Sequence, residues 1–128
     1  MKVLLDTHAF LWAITDDAQL SERARTILTT GRNELFVSVV SLWEILVKVQ
    51  IGKLPLPKPA GRYLQQQLAT ATMQVLPVMF SHVLQLEQLP LHHRDPFDRL
   101  LVAQSIDEDL AILTADPALK SYPAKLIW

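Results

Sequence analysis

Residues 35–40 read Leu-Phe-Val-Ser-Val-Val, and residues 2–5 and 111–114 are shorter runs of the same kind, apolar almost throughout. A strand wetted on one side alternates apolar and polar residues, whereas one that is apolar throughout must be covered on both faces, as in a parallel sheet between helices. The stretches between the runs supply those helices. After the turn at Asp6-Thr7, HAFLWAI has helical spacing and ends near Thr15-Asp16-Asp17. Ser21 precedes a helical segment from Glu22 to Thr30, with Gly31 and Asn33 at its end. A further amphipathic helix is predicted from Leu42 to about Ile51, stopped by Gly52 and followed by the extended connector LPLPKP. Helical segments over 60–72 and 80–89 flank the short apolar piece 74–78, where Pro77 suits a sheet edge. A helix from Pro96 to Asp107, a strand over 111–114 and a last short strand over 125–128 complete the reading. Such alternation predicts an α/β fold with a mostly parallel sheet, and in these sheets ligands bind beyond the carboxyl ends of the strands.

The 128 residues suit one domain, 1–128, since domains run to ~100–150 residues. No stretch reaches the roughly 18 apolar residues that a membrane span needs, and the run before Asp6 is too short for a secretory signal; a cytoplasmic location is expected. Cysteine is absent, which removes disulfides, thiolate metal sites and cysteine nucleophiles together. Twelve Lys and Arg against thirteen Asp and Glu give a net charge of −1, so no global basic field draws in nucleic acid; local patches or a metal must hold it.

Taken singly, the acids at the strand ends are helix punctuation. Asp6 follows the first strand where a cap is common. Ser41-Leu-Trp-Glu44 has the capping-box pattern, with Lys48 one turn on as an ion-pair partner for Glu44. Asp95-Pro96 and Asp116-Pro117 each put a cap before a proline at the first helical position. Together they exceed what capping requires. They recur at the carboxyl ends of apolar runs, which a parallel sheet gathers on one edge, and HHRDPFDRLLVAQS supplies Asp95 and Asp98 at one helix start. Asp98 shares a helical face with Leu101 and Val102, so its carboxylate sits above the core. Crowded, desolvated carboxylates need a cation or a proton; a hard ion such as Mg²⁺ or Mn²⁺ takes carboxylate oxygens and leaves positions for phosphate. That is nuclease chemistry.

The stretches LLDTHAFLW, VSVVSLWEILVKVQIGKLPLP, HHRDPFDRLLVAQS and LTADPAL together resemble the PIN-domain ribonucleases, specifically the VapC-type toxins of type II toxin–antitoxin pairs. The resemblance spans nearly the whole chain. It implies a three-layer α/β/α sandwich with a mostly parallel, four- to five-stranded sheet, and a metal cleft formed by Asp6, Glu44, Asp98 and Asp116. It implies Asp95 as either the helix cap or a supporting acid, Thr114 as a hydroxyl two residues before the fourth acid that holds a ligand or a water, and Thr7 in similar support. The implied reaction is Mg²⁺- or Mn²⁺-dependent endonucleolytic hydrolysis of RNA by activated water, leaving a 5′-phosphate and a 3′-hydroxyl. The resemblance also implies an antitoxin partner and a homodimer.

Other residues have plainer readings. His92 and His93 are spaced wrongly for two zinc ligands on one helical face, and His8 shares that reading. Arg94 and Arg99 flank Asp95 and Asp98 and read as charge partners for them, or as contacts to RNA phosphate. Lys48, Lys53 and Arg62 read as a solvated face, or as part of an RNA path. Leu42, Ile45, Leu46 and Val49 form one apolar stripe for the core; Trp43, Val47 and Ile51 form a second, suited to burial within the monomer, a homodimer or an antitoxin helix. Two other functions compete. A phosphohydrolase of small phosphate esters would use an acid after the first strand, yet Asp6-Thr7-His8 lacks the second acid of a DxD motif. A non-catalytic binding module would use the acids only as caps and the second stripe as its surface.

Overall fold

The computed structural model describes residues 1–92 and 95–128. Among them the chain forms β1 (Lys2–Leu5), α1 (Thr7–Thr15), α2 (Glu22–Thr29), β2 (Glu34–Ser38), α3 (Val39–Gln50), α4 (Ala60–Thr70), β3 (Gln74–Leu76), α5 (Phe80–Gln85), α6 (Pro96–Glu108), β4 (Ala111–Leu113) and β5 (Leu126–Ile127). Single 3₁₀ segments follow α5 (Leu86–Gln88) and β4 (Pro117–Ser121). All five strands are parallel, in the order β3-β2-β1-β4-β5.

That order reverses at β1. The chain leaves β1 for β2 and β3 on one side, then returns to β4 and β5 on the other. Right-handed crossovers made in opposite directions put their helices on opposite faces, and the core divides accordingly. Val3, Leu5, Val37 and Leu113 face Phe10, Ala24, Ile27, Ile45, Leu64 and Leu68 of α1–α4. Leu4 and Ile112 face the other way, onto Leu101 and Val102 of α6. The three-layer sandwich follows from β-strand alternation and crossover hand together. Because β1 has one neighbour reached by an outward crossover and one by a return, a crevice opens at the carboxyl ends of β1 and β4.

The start of α3 differs from the sequence expectation. The strand expected over 35–40 ends at Ser38, and the helix expected from Leu42 begins at Val39. Ser38, not Ser41, caps it: its hydroxyl accepts from the Val40 N–H at 3.0 Å. Two valines after an apolar strand carry strand propensity, which hides the helix start; once Ser38 turns the chain, Ser41 lies in the first turn and cannot act as the cap. The second apolar stripe is wet at both ends and half-buried at Val47: Trp43 is 58% and Ile51 59% exposed, with the Trp43 ring edge-on to Phe97. Gly52, at φ +77°, closes α3 in a conformation costly for other residues. Among the described residues, no helix is long and apolar enough to cross a membrane.

The layer under α6 contains polar groups that a purely apolar core would lack. Gln104 is fully buried; its Oε1 accepts from the Ser38 hydroxyl, and its Nε2 donates to the Pro77 carbonyl at 3.2 Å. Thus the end of β2, the residue after β3 and the middle of α6 are tied through one amide. Ser38→Ala removes a helix cap and strands a buried amide oxygen. The expected loss is about 2 kcal/mol of folding stability, read as a lower urea midpoint with an unchanged slope.

Candidate functional site

The register of the sheet builds the site. Leu5 pairs with Val37 and Leu113, so Asp6, Ser38 and Thr114 stand level at the carboxyl edge. Leu5 and Leu113 point toward α1–α4; alternation then sends the next residues, Asp6 and Thr114, to the face that α6 covers. The Thr114 hydroxyl donates to Asp6 Oδ2 at 2.5 Å. The same hydroxyl accepts the Asp116 N–H at 3.0 Å, which leaves its own proton for Asp6. Asp116, Thr114 and Asp6 are therefore one directed chain of hydrogen bonds across β4 and β1.

Asp6 is 7% exposed. Its Oδ1 caps α1, accepting from the Ala9 N–H at 2.7 Å. Burial raises its pKa above the ordinary carboxylate value, against the hydrogen bonds from Thr114 and Ala9 and the charge of His8, while the nearby Asp116 charge raises it further. One residue along the chain, the Thr7 hydroxyl donates to Glu44 Oε1 at 2.6 Å, and Lys48 Nζ holds Glu44 Oε2 at 3.0 Å. Glu44 is buried on α3 and gripped at both oxygens. The predicted Lys48 pairing is present, whereas the return of the Glu44 side chain to the helix start, expected from the capping-box pattern, is not, since its partners are Thr7 and Lys48.

At the other side of the crevice Asp95 caps α6, with Oδ1 accepting from the N–H groups of Phe97 at 2.9 Å and Asp98 at 3.2 Å. Asp98 stands half-buried in the first turn of α6, and Leu101 and Val102 beyond it are buried. Asp116 caps the 3₁₀ segment through Oδ1 to the Ala118 N–H at 2.9 Å. Each cap uses one carboxylate oxygen. Capping and ligand binding are thus compatible roles for the same acid, not rivals. No three of Asp6, Glu44, Asp98 and Asp116 bring a ligand atom each within 4.8 Å of one another; among the described residues only His82, Asp107 and Glu108 do so.

That second cluster reads as a structural tie. His82 is fully buried, and its Nδ1 accepts the Met79 N–H at 2.9 Å. In the neutral ring Nε2 must then carry the proton, facing Glu108 at 3.3 Å and Asp107 at 3.7 Å. A nitrogen that carries its proton has no lone pair for a metal. His82 joins the start of α5 to the end of α6.

Arg99 departs from its expected pairing with Asp95 and Asp98. Its guanidinium donates to the Pro90 carbonyl at 2.9 Å and to the Tyr122 hydroxyl at 3.2 Å, and lies over the Tyr122 ring. His92 meets the edge of the same ring, in keeping with a surface role. His93 and Arg94 lie outside the described residues. Several groups around the crevice have no sequence signal of their own. Gln104 and His82 sit in otherwise apolar stretches, an oddity that marks polar core residues. Trp12 and Trp128, 5.7 Å apart between ring centroids, are brought together only by the return of the chain beside β4.

A PIN-domain family model matches residues 3–125. The chain is 31% identical over 65 residues to Ribonuclease VapC16 of Mycobacterium tuberculosis, a match covering 51% of this chain and 46% of that protein; the match therefore spans about half of that relative's length. The fold is that of VapBC2 from Rickettsia felis bound to a promoter DNA fragment, with a TM-score of 0.73 at 17% identity over 99% of this chain and 98% of that one. It is also that of VapBC-5 from M. tuberculosis, a member of the VapBC family of toxin–antitoxin systems, with a TM-score of 0.60 at 20% identity over 98% and 95% of the two chains.

The raised pKa of Asp6 has a thermodynamic sign. A carboxyl that holds its proton more tightly folded than unfolded makes stability fall as pH rises from the ordinary carboxylate pKa through the folded one. Above that window the buried charge costs stability. Asn would keep the cap at Ala9 and remove the charge, but would turn an amide N–H toward the Thr114 hydroxyl in place of an acceptor. The expected outcome is therefore a difference in pH dependence: in chelator the parent's melting temperature falls relative to that of Asp6→Asn as pH rises from the ordinary carboxylate pKa through the folded one, which melting curves across pH would read directly.

Proposed function

The chain belongs to the PIN-domain family, and on that premise we propose that it is a metal-dependent endoribonuclease, acting in the cytoplasm as the toxin of a toxin–antitoxin pair. The observation that carries the reading is the directed chain Asp116–Thr114–Asp6 at the point where the strand order reverses. The Thr114 proton favours the anionic, acceptor form of a carboxylate that burial otherwise disfavours, and an opposing positive charge would favour it further.

Asp6, Glu44, Asp98 and Asp116 are the residues that would hold Mg²⁺ or Mn²⁺. The donor set fits such an ion: carboxylate and hydroxyl oxygens without a thiolate. The Ser41 hydroxyl is buried, has no partner among the described residues and lies on the same helical face as Glu44, which suits a site meant to be completed by water. Held there, such an ion would supply Lewis acidity toward a phosphodiester and a water, and positive charge near the leaving oxygen. The protein's part is positional. Thr114 orients Asp6, Thr7 and Lys48 orient Glu44, and Asp95 fixes the helix turn from which Asp98 projects. No side chain need act as a nucleophile, and the products are a 5′-phosphate and a 3′-hydroxyl.

Two further features support the toxin reading. Trp43 of α3, Ile51 just past its end, and Phe80 and Leu84 of α5 are large, apolar and exposed, as suits burial against other chains. We assign these faces to a homodimer and to the cognate antitoxin. The structural likeness to VapBC proteins, one of them described as a member of a toxin–antitoxin family, agrees with that assignment.

Purified protein incubated with total RNA should cleave it in Mg²⁺ or Mn²⁺ and stop in chelator. Asp98→Asn should slow cleavage by more than about 100-fold, since even residues that only support a metal ligand cost roughly 10–100-fold. Parental activity in that variant would pass the role to Asp95. Independently of activity, millimolar Mn²⁺ should raise the melting temperature of the parent, as any ligand bound only by the folded state must, and should do so less in Asp6→Asn. An unchanged melting curve would count against the metal centre.

A further inference from the structure

Beside the acids lies a groove of ≈ 350 Å³ lined by His8, Trp12, Lys48, Lys53, Leu54 and Leu56 among others, within the roughly 300–1,000 Å³ span of small-ligand pockets. Its wall is aromatic. The His8 and Trp12 rings stack at 5.7 Å and 27°, and Trp12 meets Trp128 at 5.7 Å and 59°. Trp128 in turn lines a second cleft with Thr114, Asp116 and Lys120. An aromatic strip thus runs from the groove to the acid edge, and His8 is only two residues past Asp6. Lys48 reaches into this region while holding Glu44; Lys53 and Lys120 are exposed and, among the described residues, make no ion pair. Among the described residues one carboxylate lines the groove, that of Asp17, which accepts the Gln19 N–H.

Resting on the ribonuclease reading, we infer that His8, Trp12 and Lys53 form a substrate subsite in which a base of single-stranded RNA stacks on the His8–Trp12 pair and an adjoining phosphate meets Lys53. Flat rings with flanking cations are how proteins hold unpaired nucleic acid: the rings take any base, and the cations follow the backbone. An apolar peptide would use the leucine wall but would leave Lys53 unmatched. Paired RNA would present phosphates but no free base face. Stacking at His8 places the substrate backbone alongside Asp6, so the subsite sets which phosphate enters the acid cleft. His8, Trp12 and Lys53 are positioning residues; none touches the reacting atoms.

The test separates binding from chemistry by working in chelator, where cleavage stops. In a Trp43→Phe background, which removes the exposed tryptophan of α3, a short single-stranded oligoribonucleotide should quench the fluorescence of Trp12 and Trp128. An oligonucleotide of the same length with abasic positions should quench little, and a duplex of the same sequence should not quench at all. His8→Ala should weaken binding of the parent oligonucleotide by roughly tenfold while leaving binding of the abasic one unaltered. Lys53→Ala should weaken both and reduce the salt dependence by about one phosphate contact. Trp12→Phe, which retains a ring in this partly buried position, should rescue what a smaller residue would lose. Equal binding and quenching by intact and abasic RNA would overturn the subsite and leave the groove to an apolar peptide. Metal-dependent cleavage of total RNA by the same preparation keeps the two ideas apart. Cleavage without base-dependent binding removes only the subsite; base-dependent binding without cleavage removes only the nuclease reading.

Discussion

The hydrogen bond from the Thr114 hydroxyl to Asp6 Oδ2 is the point on which the crevice turns. It spans the two strands that flank the reversal of strand order, and its direction is imposed by the Asp116 N–H occupying the hydroxyl's acceptor side. A threonine hydroxyl that accepts this backbone proton still carries its own, and the acceptor that the fold places beside it is the Asp6 carboxylate. The sheet register supplies that carboxylate one residue beyond Leu5, level with the residue beyond Leu113. Without parallel pairing of β1 and β4, Thr114 and Asp6 would be more than a hundred residues apart with nothing to bring them together. The fold's topology and the site's electrostatics are one constraint viewed at two scales.

The opposite wall is fixed by different means. Asp98 rides on α6, and α6 is located by apolar packing of Leu101 and Val102 and by the buried amide of Gln104. Helices held only by apolar contacts can rotate or slide with modest loss, because such contacts are non-directional. A buried amide bonded to the end of β2 and to the Pro77 carbonyl resists both motions, since either would leave polar atoms unpaired. His82 adds a tie at the far end of the helix. The angular precision that a carboxylate ligand requires is therefore supplied by polar groups away from it, in the layer between the sheet and α6.

The fold was legible in the sequence because its strands are apolar on both faces and its helices carry explicit caps. Ser21, Asp6, Asp95 and Asp116 all cap as their spacing predicts. The start of α3 was not legible, since Val39 and Val40 continue a strand-like pattern and Ser41 has the capping-box spacing, whereas the cap that folding uses is Ser38, where β2 ends. The acids at strand ends were visible as a recurring pattern, whereas the bonds that orient them were visible only in part. Thr114 stands two residues from Asp116, and Glu44 to Lys48 is a helical spacing, but Thr7 to Glu44 spans 37 positions and depends on how α3 crosses α1. Arg99 misled for the same reason: adjacency to Asp95 and Asp98 suggests pairing, yet the partner that folding provides is Tyr122, 23 residues away.

The acids also explain why capping and function are easily confused. A helix start offers unpaired N–H groups and a favourable dipole, so a carboxylate placed there is held rigidly by one oxygen at little cost. That is the condition a ligand-binding carboxylate needs, provided its other oxygen stays available for the ligand's side. Asn and Ser cap as well as Asp does, but cannot bring a negative charge. The repeated choice of Asp, at positions where burial already penalises charge in the case of Asp6, therefore carries the functional information, and the cap itself carries none. What distinguishes a site from a set of helix starts is the excess of charge over the structural need, gathered by the sheet onto one edge.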